Sequence, residues 1–157
     1  MATSEIERKF LVQNDVYRTL AVPRRIAQGY LNSDKLRTVR VRIDGDSAFL
    51  TVKSITIGIS RHEFEYPIPT DHATELLALC EKPIIEKQRY RIPYRGMIWE
   101  IDEFLGQNEG LVVAEIELPD ATTTFELPPW LGPEVSNDPR YFNSNLIRNP
   151  YSSWKSS

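Results

Sequence analysis

The stretch Ser4-Glu5-Ile6-Glu7-Arg8-Lys9-Phe10 decides how this chain is read. Its period is two, that of a β-strand, so Glu5, Glu7 and Lys9 share one face and Ile6, Arg8 and Phe10 the other. The pattern recurs down the chain. Arg40 and Arg42 oppose Val39, Val41 and Ile43, and Thr51 and Lys53 oppose Leu50 and Val52. Arg61, Glu63 and Glu65 oppose His62, Phe64 and Tyr66, while Lys87, Arg89 and Arg91 share a face. Glu100 and Asp102 oppose Trp99 and Ile101, and Glu115 and Glu117 oppose Ala114, Ile116 and Leu118. Strands are therefore predicted over 4–12, 27–32, 37–43, 48–53, 61–66, 86–92, 98–104 and 111–118.

Turn residues separate several of these runs, among them Asp44-Gly45-Asp46 and Arg95-Gly96. The clearest helix is predicted over Asp71–Glu81, with Asp71 as N-cap and Leu76, Leu77 and Cys80 on one stripe. Weaker helices are expected over 14–21 and 139–148, the latter behind Ser136 and Asp138 as candidate caps with Pro139 at its start. The stretch 119–135 reads as loop with a short helical turn. The fold class is α+β, dominated by antiparallel strands. No repeat or linker divides the chain, so residues 1–157 read as a single domain.

For one strand, the ordinary meaning of such a face is exposure to water. Over seven strands that reading weakens, because the polar face consists mostly of full charges. Acids dominate the first strand and the last two, and bases dominate those between. If the sheet closes, an acidic wall and a basic wall meet across one cavity. An eight-stranded barrel holds side chains or one small ligand, and unpaired ions in a dry interior would cost several kcal/mol each. A row of cations calls for a polyanion, and carboxylates beside it call for hard divalent cations. A metal–triphosphate complex satisfies both walls.

Composition narrows the function classes. The 157 residues carry 41% hydrophobic and 26% charged side chains with net charge −3, which argues against a nucleic-acid binder. No apolar run approaches the ~20 residues of a membrane span, and the N-terminus lacks a signal-peptide core. Cys80 is the only cysteine, which fits a reducing cytoplasm, and two histidines are too few for a His-rich zinc site. A metal site here has to be built from oxygens.

The ordered series EIERKFL (5–11), QGYL (28–31), RVR (40–42), TVK (51–53), SRHEFE (60–65), EKQRY (86–90), EIDEF (100–104), AEIELP (114–119) and EVSNDPRYFN (134–143) resembles the CYTH superfamily of triphosphate tunnel metalloenzymes, most closely its short bacterial tripolyphosphatase-like members. One position departs: Phe142 stands where related sequences often carry Lys. The resemblance implies a closed eight-stranded antiparallel β-barrel, a tunnel with a few helices packed outside. It also implies hydrolysis or transfer on triphosphate substrates with Mg²⁺ or Mn²⁺. Carried onto this sequence, it implies Glu5, Glu7, Asp102, Glu115 and Glu117 as metal ligands. Lys9, Arg40, Arg42, Lys53, Lys87 and Arg89 become phosphate ligands, and Arg61 with Glu63 an inner-wall pair that positions basic neighbours.

Phosphoryl transfer asks for positioning and charge stabilisation, not a covalent nucleophile. Catalytic roles accordingly fall to Lys9, to Glu117 as a group that activates water, and to Tyr30, read either as a proton-managing hydroxyl near Lys9 or as a core tyrosine. No insertion remains to recognise a base or thiamine, so inorganic tripolyphosphate is the first expected substrate. An adenylate cyclase or a thiamine or nucleoside triphosphatase is the same-fold alternative, and a non-catalytic polyphosphate-binding module the alternative from another class. The expected partner is a small-molecule triphosphate, with no nucleic acid and no membrane, in a monomer or homodimer.

Overall fold

The computed structural model of the chain describes residues 3–57 and 59–154, with side chains from Ile6 onward. Nine strands follow in chain order: β1 (Thr3–Val12), β2 (Arg24–Asn32), β3 (Arg37–Asp44), β4 (Ser47–Ser54), β5 (Ser60–Pro67), β6 (Ile85–Tyr94), β7 (Met97–Phe104), β8 (Val112–Glu117) and β9 (Leu131–Glu134). They pair antiparallel in the order β5-β4-β3-β2-β6-β7-β8-β1, and β1 returns to β5, so eight strands close into a barrel. Closure falls to β1, which divides its length among three neighbours. Glu7–Leu11 run beside β8, Thr3–Ile6 pair with β5, and Phe10 and Val12 pair with the short β9. Two tight hairpins keep neighbouring strands in register. Gly45 turns β3 into β4 at φ 59°, and Arg95 (φ 50°) and Gly96 (φ 81°) turn β6 into β7, the left-handed pair that a two-residue hairpin of matching twist requires.

The barrel carries much of its apolar surface outside. Phe10, Tyr90, Ile92, Trp99, Ile101, Ala114 and Ile116 form one outer core, roofed by Tyr17, Trp130 and Leu131. On the other side α1 (Thr70–Leu79) lays Ala73 and Leu77, with Cys80 just beyond its end, against Val41 and Ala48. Gly29 makes that contact possible, since a Cβ there would lie 2.7 Å from Cβ of Cys80. A third cluster is internal. Ile85, Phe104 and Val113 share the parity of Lys87, Asp102 and Glu115, and with Tyr30 they meet Tyr141, Leu146 and Ile147 of the C-terminal segment. The last two belong to α2 (Asn143–Arg148), so this segment fills one end of the barrel interior.

Every predicted strand is present, and the helical expectations are corrected in detail. Pro69, not Asp71, precedes the first turn of α1, and the helix stops at Leu79 because Cys80 is extended. Residues 14–21 form only a 3-10 turn, Val16–Thr19. Residues 139–148 are broken by extended Phe142 (ψ 131°) into a 3-10 turn, Pro139–Tyr141, and α2. Asp138 caps that turn by accepting from the Arg140 amide. Residues 119–135 hold strand β9 in place of a helical turn, because β1 offers an edge beyond the end of β5. Among the described residues no helix is long and apolar enough to cross a membrane.

Candidate active site

The charged parity of β1 and of β3 to β8 points inward, around a cavity of about 360 Å³ to which β2 contributes Tyr30. Glu7, Lys9, Tyr30, Arg40, Arg42, Lys53, Arg61, Arg89, Glu115 and Glu117 all line it. Sheet order separates most of the charges, with Lys9 standing among the acids on β1 and β5 contributing Arg61, Glu63 and Glu65 of both signs. Arg40, Arg42, Lys53 and Arg89 come from the run β4-β3-β2-β6, whereas Glu100, Glu115, Glu117 and Glu7 come from β7-β8-β1. On the acidic wall Glu7 lies opposite Glu117, and Glu115 opposite Glu100 and Lys9. Of the expected ligands, Glu5 sits on β1 opposite Arg61, and its side chain lies outside the described residues.

Two expected site residues stand behind the lining. Asp102 and Lys87 are 2% and 0% exposed. The register that sets Arg89 across from Asp102 gives a bidentate pair, with Nε–Oδ1 at 2.8 Å and Nη2–Oδ2 at 2.9 Å. Lys87 Nζ adds 2.8 Å to Oδ2. Both oxygens of Asp102 are thus engaged by cations, so in this structure it serves as a counter-ion of the basic wall, and a metal bound there would have to displace Lys87 or Arg89. Burial alone would raise its pKa, but Arg89 and Lys87 outweigh burial and hold the carboxyl far below its ordinary range. With one anion against two cations, the excess cation carries the penalty. Burial, then Arg89 and Arg42, pull Lys87 down to about 7 despite Asp102.

The remaining pairs are looser. Lys9 Nζ lies 3.3 Å from Glu115 and donates to the Tyr141 carbonyl at 3.2 Å, beside the Phe142 ring. Burial disfavours its charge, but Glu115 and Glu7 more than compensate and raise its pKa. Lys53 meets Glu63 at 3.3 Å and Arg61 meets Glu7 at 3.4 Å, so both members of the expected inner-wall pair, Arg61 and Glu63, take part in cross-strand ion pairs. Arg40 donates to Thr51 Oγ1 at 3.3 Å and lies 3.7 Å from Glu65. Tyr30 lines the cavity, and its hydroxyl makes no hydrogen bond to Lys9 among the described residues.

Residues 142–144 and Ser136 also reach the cavity, which strand parity alone does not show. The EVSNDPRYFN stretch (134–143) was the sequence signal for Ser136, Phe142 and Asn143. Gln28 was another, since its amide oxygen accepts from Arg42 Nε at 2.9 Å.

A pH test follows from Glu115. Burial would raise its pKa, but Lys9 chiefly lowers it from 4.5 to about 2. A depressed folded-state pKa contributes stability that is present above the unfolded value and lost as pH falls through the folded one. Glu115→Gln should therefore be less stable than wild type at pH 7, and the gap should shrink between pH 4.5 and about 2. Melting temperatures of both proteins across that range measure it; a gap independent of pH would refute the ion pair.

A divalent ion fits part of the acidic wall. Among the described residues no three carboxylates converge on one point. Glu7 and Glu117, however, face each other on adjacent strands and open onto the same cavity as the cations. Mg²⁺ is commonly held by one or two carboxylates plus substrate phosphates, a demand this pair meets with hard oxygen donors.

Known proteins resemble this chain in sequence and in fold. The chain is 55% identical over 152 residues to an inorganic triphosphatase of Acetivibrio thermocellus, covering 96% of this chain and 97% of that one. It is 40% identical over 150 residues to an inorganic triphosphatase of Nitrosomonas europaea, covering 91% and 96%. A crystal structure of an inorganic triphosphatase superposes with a TM-score of 0.67 at 32% identity, over 90% of this chain and 96% of that one. The CYTH domain model matches residues 3–151. By that match over nearly its whole length and by these identities, the chain belongs to the CYTH domain family.

Proposed function

We propose that this chain hydrolyses triphosphates, with inorganic tripolyphosphate as its first substrate and Mg²⁺ or Mn²⁺ as the required ion. The observation that carries this reading is the two-walled cavity, a row of inward cations facing a row of inward carboxylates within about 360 Å³. Relatives at 55% and 40% identity bear the name inorganic triphosphatase. Arg40 and Arg42 offer forked donors to phosphate oxygens, Lys9 and Lys53 offer point charges, and Arg89, held by Asp102 through Nε and Nη2, adds its charge and its remaining Nη1 edge. Held at fixed positions on strands, they align the chain of phosphates before reaction, which is most of what phosphoryl transfer needs. Glu7 and Glu117, with Glu5 on the same strand parity, would hold the divalent ion, and Glu115 keeps Lys9 charged and placed. The ion would neutralise charge on the phosphate oxygens. Glu117, exposed on the acidic wall, is the carboxylate placed to take a proton from water.

Phosphate release from tripolyphosphate, ATP and thiamine triphosphate, with and without Mg²⁺, tests the reading; no release from any of them would overturn it. A binding test is independent of turnover. In chelator, tripolyphosphate at a hundredfold excess over its Kd should add about 2.7 kcal/mol of stability. For a domain of this size that raises the melting temperature by about 5–10 °C. Monophosphate at equal ionic strength reaches only part of the basic wall and should do far less. Equal shifts from both anions would refute an enclosed triphosphate site.

A further inference from the structure

Arg42 is held differently from the other inward cations. Lys9, Lys53, Arg61, Lys87 and Arg89 each stand within 3.4 Å of a carboxylate. Arg40 lies 3.7 Å from one. Arg42 has no carboxylate within ion-pair distance among the described residues, and its hydrogen bond goes to a neutral group, the Gln28 amide. Its guanidinium opens on the cavity, yet protein encloses it. Burial, with Arg40 and Arg89 nearby, pulls its pKa down to about 9.

Gln28 is built to hold that one side chain. It is Arg42's cross-strand partner, it is 0% exposed, and it stands behind Arg42 without lining the cavity. Its strand is pinned from outside, where bare Gly29 lets Cys80 and Ile84 press against the backbone. Reversing the amide would set its NH₂ against the Arg42 Nε–H, so the oxygen faces the arginine. The buried Nε2 finds no acceptor among the described residues, a cost in stability that the fold bears to keep an amide here. A carboxylate at this position would make a stronger bond to Arg42 but would cancel its charge. An amide orients the guanidinium and leaves the charge for an incoming anion.

We propose that Gln28 is a positioning residue for substrate: its neutral amide fixes Arg42 by the Nε, so that the Nη groups present an uncompensated positive charge to one phosphate of a triphosphate. This inference rests on the triphosphate reading of the cavity and names the residue that tunes its affinity.

The test is calorimetric binding of inorganic tripolyphosphate in excess chelator, where no turnover complicates the measurement. Gln28→Glu should weaken binding about tenfold or more, equivalent to 1.4 kcal/mol or above, because Arg42 gains a resident counter-ion. Gln28→Met, similar in shape but with no acceptor, should weaken binding about threefold to tenfold. In an Arg42→Ala background the Gln28→Met change should have no further effect, because two residues acting through one contact are non-additive. That coupling distinguishes positioning from a general loss of packing, and it decides the matter if Gln28→Glu does not fold.

Binding within about twofold of wild type in both single variants, or an equal loss from Gln28→Met in both backgrounds, overturns the inference. Wild-type protein that binds no tripolyphosphate overturns it too. If wild type binds and the variants weaken as expected, but no phosphate is released with Mg²⁺ or Mn²⁺, the hydrolase reading fails and this inference stands. Wild-type turnover with unchanged variant affinities is the reverse case.

Discussion

Replacing Asp102 with alanine should destabilise the barrel by about 3–5 kcal/mol, the cost of breaking a buried ion cluster from one side. Asp102 satisfies Arg89 through two hydrogen bonds and Lys87 through a third contact. Alanine leaves Lys87 buried without an anion and Arg89 with only Glu100, 3.4 Å away, while Arg42 stands nearby. Relief by deprotonation is open to Lys87 but not to arginine. At about 2–4 °C per kcal/mol for a chain of this length, the melting temperature should drop by about 6–20 °C. Asp102→Asn keeps the shape but not the charge, and it should lose nearly as much. Tripolyphosphate restores negative charge to the basic wall, so it should stabilise the Asp102→Ala protein by more degrees than wild type. Denaturation with and without tripolyphosphate measures both effects. A loss below about 1 kcal/mol, as for an exposed pair, would show that Asp102 is not the counter-ion of this wall.

Removing divalent cations should abolish phosphate release while leaving tripolyphosphate bound. The two effects separate because the walls have separate tasks. On the proposed reading Arg40, Arg42, Lys53 and Arg89 would hold the anion, whereas Glu7 and Glu117 lie opposite each other on β1 and β8 as an oxygen donor pair. A bound divalent ion contributes several kcal/mol of charge stabilisation in reactions of this kind. At 1.36 kcal/mol per tenfold in rate, its loss lowers turnover by about a thousandfold or more. Glu7→Gln and Glu117→Gln should reproduce part of that loss and require more Mg²⁺ for half-maximal rate. Lys53→Ala should instead raise KM for tripolyphosphate. The expected readout is phosphate release titrated with Mg²⁺ and Mn²⁺ after chelation. Full turnover in excess chelator would sink the metal reading.

Much of the site was legible from parity. Residues such as Arg40 and Arg42, or Glu115 and Glu117, alternate with apolar neighbours along short strands, and a period of two assigns them to one face whatever the strand pairs with. The segregation of most acids from bases along the chain was legible for the same reason. Whether that face looks into a cavity or out to water was not, because it depends on β1 returning to β5, a pairing of residues more than fifty positions apart. Local helical patterning also misled at 14–21 and 139–148. There a single 3-10 turn and an extended Phe142 answer to packing against the barrel more than to periodicity.

Partnership within the site belongs wholly to the tertiary structure. In sequence Asp102 looks like any other inward carboxylate; register sets it across from Arg89 and commits both its oxygens. Arg42 resembles Arg40, yet it alone lies beside a glutamine from the neighbouring strand. Sequence alone determined which residues carry charge and which face they share, because backbone geometry makes side-chain direction a local property. The fold decided which charges are compensated and which remain for a ligand, because Coulomb energies and hydrogen bonds depend on distances between strands that no single strand can specify.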